Sequence, residues 1–185
     1  MRVSITPRQK RRLHRCYTSM LCIVTALVLC LPSVEISAQQ GGLFEALYVF
    51  KFCSFVRFPA ERTSGDFVIA VLGDANFVTQ LEKTVAGKSV GSQAIRVKSI
   101  DEASEIGNAQ LVYVPETQSK KLTKILDAVR GKATLVVSKG SGLAQAGSHI
   151  NIFTNGDKKF EINRAAAESA GLKFSADLLK LAVVL

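Results

Sequence analysis

The sequence predicts an α/β fold: a single domain with a mainly parallel sheet flanked by helices, ending in a C-terminal hairpin and a terminal helix. Three observations predict it. Phe67–Leu72, Leu111–Val114 and Ala133–Ser138 are apolar runs of the kind found in strands buried on both faces of a parallel sheet. Between them lie stretches with apolar residues at helical spacing, the crossovers that parallel neighbours require. Past Ile150 the pattern changes, and two strand-like runs flank Asn155-Gly156-Asp157, a short-hairpin signal.

The elements follow in order. Residues 1–38 read as a secretory signal peptide: Arg2, Arg8, Lys10, Arg11, Arg12 and Arg15 form a basic start, Met20–Leu31 an apolar middle, and Ile36-Ser37-Ala38 a small-residue end. The apolar run has 12 residues, short of the ~20 a spanning helix needs, which favours cleavage near Ala38 over a retained anchor. Arg11-Arg12 is a weak twin-arginine signal, and bulky Leu29 before Cys30 argues against a lipid anchor. Residues 39–185 form the domain. After Gly41-Gly42, Leu43 to Val56 reads as a helix stopped by Pro59, with Phe44, Leu47, Tyr48, Lys51, Phe52 and Phe55 on an aromatic face. Strand Phe67–Gly73 leads to Asp74, the N-cap of a helix from Asn76 to Val85. Ala94–Ile100 is strand-like, and Pro115 ends the strand Leu111–Val114. Thr117 or Ser119 opens a helix through Arg130, with Leu122, Ile125, Leu126 and Val129 on one side. After strand Ala133–Ser138 and the hairpin Ile150–Phe153/Lys158–Ile162, Asn163 caps a helix that Gly171 closes. Ser175 caps the last helix, which carries Leu178, Leu179, Leu181 and Ala182. Phe160, Ile162 and Leu181 are expected in the core.

Charge and cysteines change once the leader is set aside. It holds six of the 24 Lys/Arg and one of the 15 acids, so the remainder carries 18 basic and 14 acidic residues, a net +4 in place of +9. Basicity therefore gives no warrant for nucleic-acid binding. Cys16, Cys22 and Cys30 leave with the leader. Cys53 alone cannot form an internal disulfide and reads as a buried, inert thiol.

The catalytic inventory is thin. His149 is the one histidine past the leader, expected to be partly buried and satisfied by a backbone group, so the usual nucleophile–base pair is missing. No Cys-x-x-Cys, paired histidines or dense carboxylate loop suggests a metal, and no cofactor is implied. Asp101, Glu102 and Glu105 read as a solvated acidic turn. Gly140–Gly147 lacks the spacing of a phosphate loop and leads into a strand, which favours a structural turn. Gly73-Asp74 lies at a strand's carboxyl end, where α/β domains often hold ligands.

Five segments, in register, resemble the YfiR family. Leu47-Tyr48-Val49-Phe50-Lys51-Phe52 through Phe55-Val56-Arg57-Phe58-Pro59 is similar to the family's aromatic helix ending Phe-Val-Glu-Trp-Pro. Val71-Leu72-Gly73-Asp74 with Phe77 is similar to its Val-Leu-Gly-Asp segment, Lys83–Lys88 to its Val-x-Gly turn, and Gly142-Leu143-Ala144 to its Gly-Phe-Ala turn. Phe160-Glu161-Ile162-Asn163, Ala165-Ala166, Ala170-Gly171-Leu172 and Leu178–Ala182 complete the likeness. The resemblance implies a periplasmic regulator, not an enzyme, that binds the outer domain of an inner-membrane diguanylate cyclase or a similar signalling protein such as a sensor kinase. Holding the cyclase inactive would lower cyclic di-GMP and biofilm formation. Many relatives have cysteines at the positions of Ala70 and Ala109, where a disulfide is plausible; both are alanine here. Arg57 and Phe58 stand in place of the family's Glu and Trp.

Phe55, Arg57, Phe58, Arg164, Phe174 and Leu178 are the candidate partner-binding residues, because large aromatics and arginine dominate interface energetics. Core burial is the competing reading for Phe55 and Leu178. Phe58→Asp or Phe174→Asp is expected to leave folding intact and raise cyclic di-GMP. The alternative function is a periplasmic small-molecule sensor using the Gly73-Asp74 edge; a homodimer stays open.

Overall fold

Five strands, three of them the predicted apolar runs, lie side by side in parallel and divide the molecule into layers. The computed structural model describes residues 36–155 and 158–185, and Ser37–Leu185 form one compact unit. The leader lies outside the described residues, except that Ile36–Ala38 begin the first helix.

The strands are β1 (Val56–Arg57), β2 (Phe67–Leu72), β3 (Ser89–Val90), β4 (Gln93–Ile100), β5 (Leu111–Val114), β6 (Leu135–Lys139), β7 (Ile150–Asn155), β8 (Lys158–Ile162), β9 (Lys173–Phe174) and β10 (Val183–Val184). The helices are α1 (Ile36–Phe55), α2 (Ala75–Val85), α3 (Leu122–Val129), α4 (Arg164–Ser169) and α5 (Ala176–Leu181). The main sheet runs β10-β8-β7-β6-β5-β2-β4-β3. Neighbours are parallel from β7 through β4, with antiparallel pairs at β7/β8 and β3/β4.

Within the parallel part the order is second, first, third, fourth, fifth in sequence, a doubly wound arrangement. The winding reverses between β2 and β5, and a crevice opens outside the carboxyl ends of strands at such a reversal. α1, α2, α4 and α5 cover one face of the sheet. α3 and a 3₁₀ turn at Ala103–Ile106 cover the other.

Local signals set most boundaries. Asp74 Oδ1 accepts the Phe77 N–H at 2.9 Å, Asn163 Oδ1 accepts the Ala166 N–H at 2.9 Å, and Ser175 Oγ accepts the Leu178 N–H at 3.2 Å. Each is the expected N-cap. Gly171, at φ +76°, closes α4 in a conformation that L side chains rarely adopt.

Four expectations are corrected. α1 starts at Ile36 and runs through Gly41-Gly42, since helical glycine costs only about 1 kcal/mol and packing further along outweighs it. Its buried stripe is Ala46, Val49, Phe52 and Cys53, whereas Phe44 is 62% exposed and Leu47 and Phe55 lie near the surface. Phe52 belongs to both stripes, and Ala46, Val49 and Cys53 complete the buried one. Neither Thr117 nor Ser119 caps a helix: Glu116–Lys121 is a 3₁₀ segment entered from Pro115, and α3 begins only at Leu122. Leu181, expected in the core, is 63% exposed, because α5 ends there and the chain turns into edge strand β10.

The connection from β6 to β7 uses a loop instead of a helix. Residues 141–147 form successive turns. Asn163 Nδ2 donates to the Ala144 carbonyl at 2.9 Å, and Asn151 Nδ2 to the Gly140 carbonyl at 2.7 Å. Gly147 has φ +108°, and a Cβ there would sit 3.0 Å from Leu126 Cδ1. The glycine-rich stretch is therefore a packed structural turn.

Candidate functional site

His149 and Cys53 are both spent inside the fold. His149 is buried; its Nδ1 accepts the Val136 N–H at 3.1 Å, and burial lowers the imidazole pKa to about 4. This is the expected backbone-satisfied histidine, uncharged at neutral pH. The Cys53 thiol is fully buried, donates to the Val49 carbonyl at 3.2 Å, and is held protonated by desolvation. Among the described residues no group of three or more His, Cys, Asp or Glu is arranged to hold a metal ion. Ala70 and Ala109 are buried in one core cluster, where alanine packs as an apolar residue.

The acidic turn has a local task that sequence reading missed. Glu105 Oε2 accepts the N–H groups of Asp101 at 2.7 Å and Glu102 at 3.1 Å, which lowers its pKa. With Glu102 it forms a capping box on the 3₁₀ turn.

Two distant segments of the candidate docking surface meet in a small ribbon. β1 pairs antiparallel with β9, Val56 opposite Phe174 and Arg57 opposite Lys173, and the Ser175 N–H donates to the Phe55 carbonyl at 3.0 Å. Phe55 and Arg57 are exposed at this edge, and Phe174 is half-buried. Arg164 and Phe174 line a cleft of about 450 Å³ with Lys173 and Leu179. Arg164 is exposed and paired with Glu168 at 2.7 Å.

Leu178 does not belong to that surface: it is 3% exposed, facing the core from α5. Phe58 packs edge-on against Phe67, centroids 5.3 Å apart, and Phe174 rests partly on the core. An aspartate at either place would strip apolar contacts from the core, so neither Phe58→Asp nor Phe174→Asp is neutral to folding. Lys173 was missed, since nothing local marks a two-residue ribbon strand.

The switch-point crevice has its own residues. It encloses about 430 Å³ and is lined by Glu45, Asp74, Phe77, Pro115, Glu116 and Lys139, among others. Glu45 is 8% exposed and accepts from Lys139 Nζ at 2.8 Å, tying α1 to the end of β6. Its pKa is raised, chiefly by desolvation, against the hydrogen bond and charge of Lys139. Sequence reading found Asp74 and missed Glu45 and Lys139. The signal was there: a lone acid within the apolar Leu43–Phe50 stretch, and a lysine ending an apolar strand.

Fold and surface together define the class, a layered α/β domain whose prominent features are an exposed two-stranded ribbon and a crevice. The chain belongs to the YfiR/HmsC-like family, whose model matches residues 44–183. At family level this supports a regulatory, non-enzymatic role in the periplasm, directed at cyclic di-GMP signalling. Among the described residues no helix is long and apolar enough to cross a membrane. No curated protein matches the sequence. Two solved structures are similar at 13% identity: an ABC domain in complex with L-Trp from Streptococcus pneumoniae (TM-score 0.47, 63% of this chain and 54% of that one) and a conserved domain protein from Vibrio cholerae (TM-score 0.48, 77% and 59%). This chain thus spans little more than half the length of either, and neither likeness bears on function.

Proposed function

We propose that this protein is exported to the periplasm, with residues 1–38 cleaved as its leader, and there represses a membrane-bound diguanylate cyclase by docking through the β1–β9 edge. Phe55, Arg57, Arg164 and Phe174 are the contact residues, joined by Lys173; Phe58 supports them from behind. One observation carries the assignment of this edge. Arg57 and Lys173 stand directly opposite each other in an antiparallel pair, both exposed. Like charges so placed destabilise a ribbon, and an acidic partner surface would relieve that repulsion. Aromatic side chains beside the two cations provide the apolar centre that interface anchors need. A partner that binds the inactive cyclase conformer preferentially shifts the population toward it, so the regulator needs no chemistry of its own.

Charge reversal tests this. Lys173→Glu puts an opposite charge across from Arg57 and should raise stability by about 0.2–1 kcal/mol in denaturant titrations. The same substitution, and Arg57→Glu, should release the cyclase and raise cellular cyclic di-GMP. Folded variants with unchanged cyclic di-GMP would remove this edge from the interface. Recovery of no membrane signalling protein with the wild-type bait would undercut the regulatory role itself.

A further inference from the structure

We propose that the bare outer edge of β4 takes up an extended strand from a partner protein, one that alternates acidic and apolar residues. This surface is separate from the β1–β9 ribbon, and the inference does not depend on the regulatory reading.

The backbone comes first. β4 has eight residues and is the longest strand among the described residues. On one side β2 pairs with it from Ile95 to Ile100. On the other, β3 reaches only Gln93 and Ala94, and no strand of the sheet lies beyond β3. The Ile100 carbonyl accepts the Gly73 N–H at 2.8 Å, so Ile100, Lys98 and Arg96 direct their backbone groups toward β2. By alternation Val97 and Ser99 direct theirs outward, where no strand meets them. Such an edge is a template for strand addition.

Side chains come second, and they select the occupant. Arg96 and Lys98 share the sheet face of Ile100, which belongs to the core cluster under α3. Lys98 takes part in none of the ion pairs among the described residues; its Nζ donates to the Glu105 carbonyl at 2.6 Å. Arg96 pairs with Asp66 at 3.0 Å, but the two side chains are 71% and 46% exposed, a contact worth little in water and readily exchanged. On the opposite face Ile95 and Val97 are partly buried and pack on the cluster that holds Val85 of α2. Beside them is a hollow of about 650 Å³ lined by Glu82, Val85, Lys88, Ile95, Arg96 and Val97, among others. A strand laid along β4 would set every second side chain next to Ile95 and Val97, and those between next to Arg96 and Lys98. Apolar residues suit the first set and carboxylates the second.

A second copy of this chain does not fit the same edge. Two β4 strands paired antiparallel would bring Arg96 and Lys98 of one against the same cations of the other, and like charges across a pair are destabilising. Basic residues on the edge thus discourage self-pairing and favour an acidic strand.

Fluorescence anisotropy of a labelled peptide titrated with the purified full chain tests the proposal. The probe alternates valine and glutamate over the length of β4. Its controls are a valine–lysine peptide and the probe N-methylated at every residue, which has no backbone donors. Saturable one-to-one binding of the probe is expected, about tenfold or more tighter than either control, with hydrogen-exchange protection of the Val97 and Ser99 amides. Arg96→Glu should weaken binding about fivefold. Ser99→Pro removes an outward N–H at an exposed edge position, where proline is tolerated, and should weaken it about tenfold. Arg96→Glu leaves the backbone alone, so the test stands if Ser99→Pro fails to fold. No probe binding at millimolar concentration, equal affinity for the N-methylated peptide, or unchanged affinity in Arg96→Glu would overturn the proposal. So would a dimer in sedimentation that Ser99→Pro dissociates, because the edge would then belong to a second copy. The readout uses this protein and a peptide alone, so failure here leaves the cyclase reading untouched.

Discussion

At the residue scale, His149 gives the fold a pH dependence of defined sign. The unfolded side chain titrates near 6.5 and the folded one near 4, so the unfolded chain takes up the proton first as pH falls. The contribution is therefore complete above pH 6.5 and lost progressively toward pH 4, by at most about 3 kcal/mol. In His149→Asn the amide oxygen can accept the Val136 N–H that Nδ1 accepts now. Urea unfolding midpoints measured between pH 7 and 4 should fall less steeply in that variant than in the wild type; parallel slopes would assign the acid sensitivity elsewhere. The backbone-satisfied character of this residue was legible in the sequence, because a lone histidine among apolar neighbours has few other fates. Its partner was not, since Val136 lies on β6, 13 residues earlier in the chain.

At the scale of the element, α1 shows where periodicity stops informing. Its aromatic stripe and its buried stripe differ by a fraction of a turn, and hydrophobicity alone favoured the larger side chains. Tyr48, Phe52 and Phe160 form an aromatic group, with Phe52 and Phe160 edge-on at 5.1 Å. Phe52→Ala should cost about 3–5 kcal/mol, as large-to-small core substitutions of phenylalanine do. Phe44→Ala, on the exposed flank, should stay within about 0.5 kcal/mol. Thermal unfolding of the two variants distinguishes the faces, and equal losses would restore the aromatic stripe as the core. Caps behaved otherwise. Asp74, Asn163 and Ser175 were identifiable because a cap bonds three residues ahead in its own chain, with no dependence on the rest of the molecule.

For the whole molecule, α1 connects the two candidate sites. Glu45 lies in the crevice, and Phe55 ends the helix at the docking edge, about 15 Å further along its axis. The proposed docking edge carries exposed Arg57 and Lys173. Its association with an acidic partner should therefore accelerate at low ionic strength and slow as salt screens the attraction. Association rates from surface plasmon resonance across a salt series check this, and a salt-independent rate would assign the recognition to apolar contacts alone.

Sequence by itself determined the layered α/β class, the strands buried on both faces and the caps Asp74, Asn163 and Ser175. Each depends on residue type and spacing within one segment. Tertiary structure alone decided the winding reversal beside β2, the meeting of Arg57 with Lys173 and the Glu45–Lys139 tie. These are pairings between segments up to 116 residues apart, Arg57 and Lys173 the most distant. Local spacing carries no information about which distant residue folding will bring opposite.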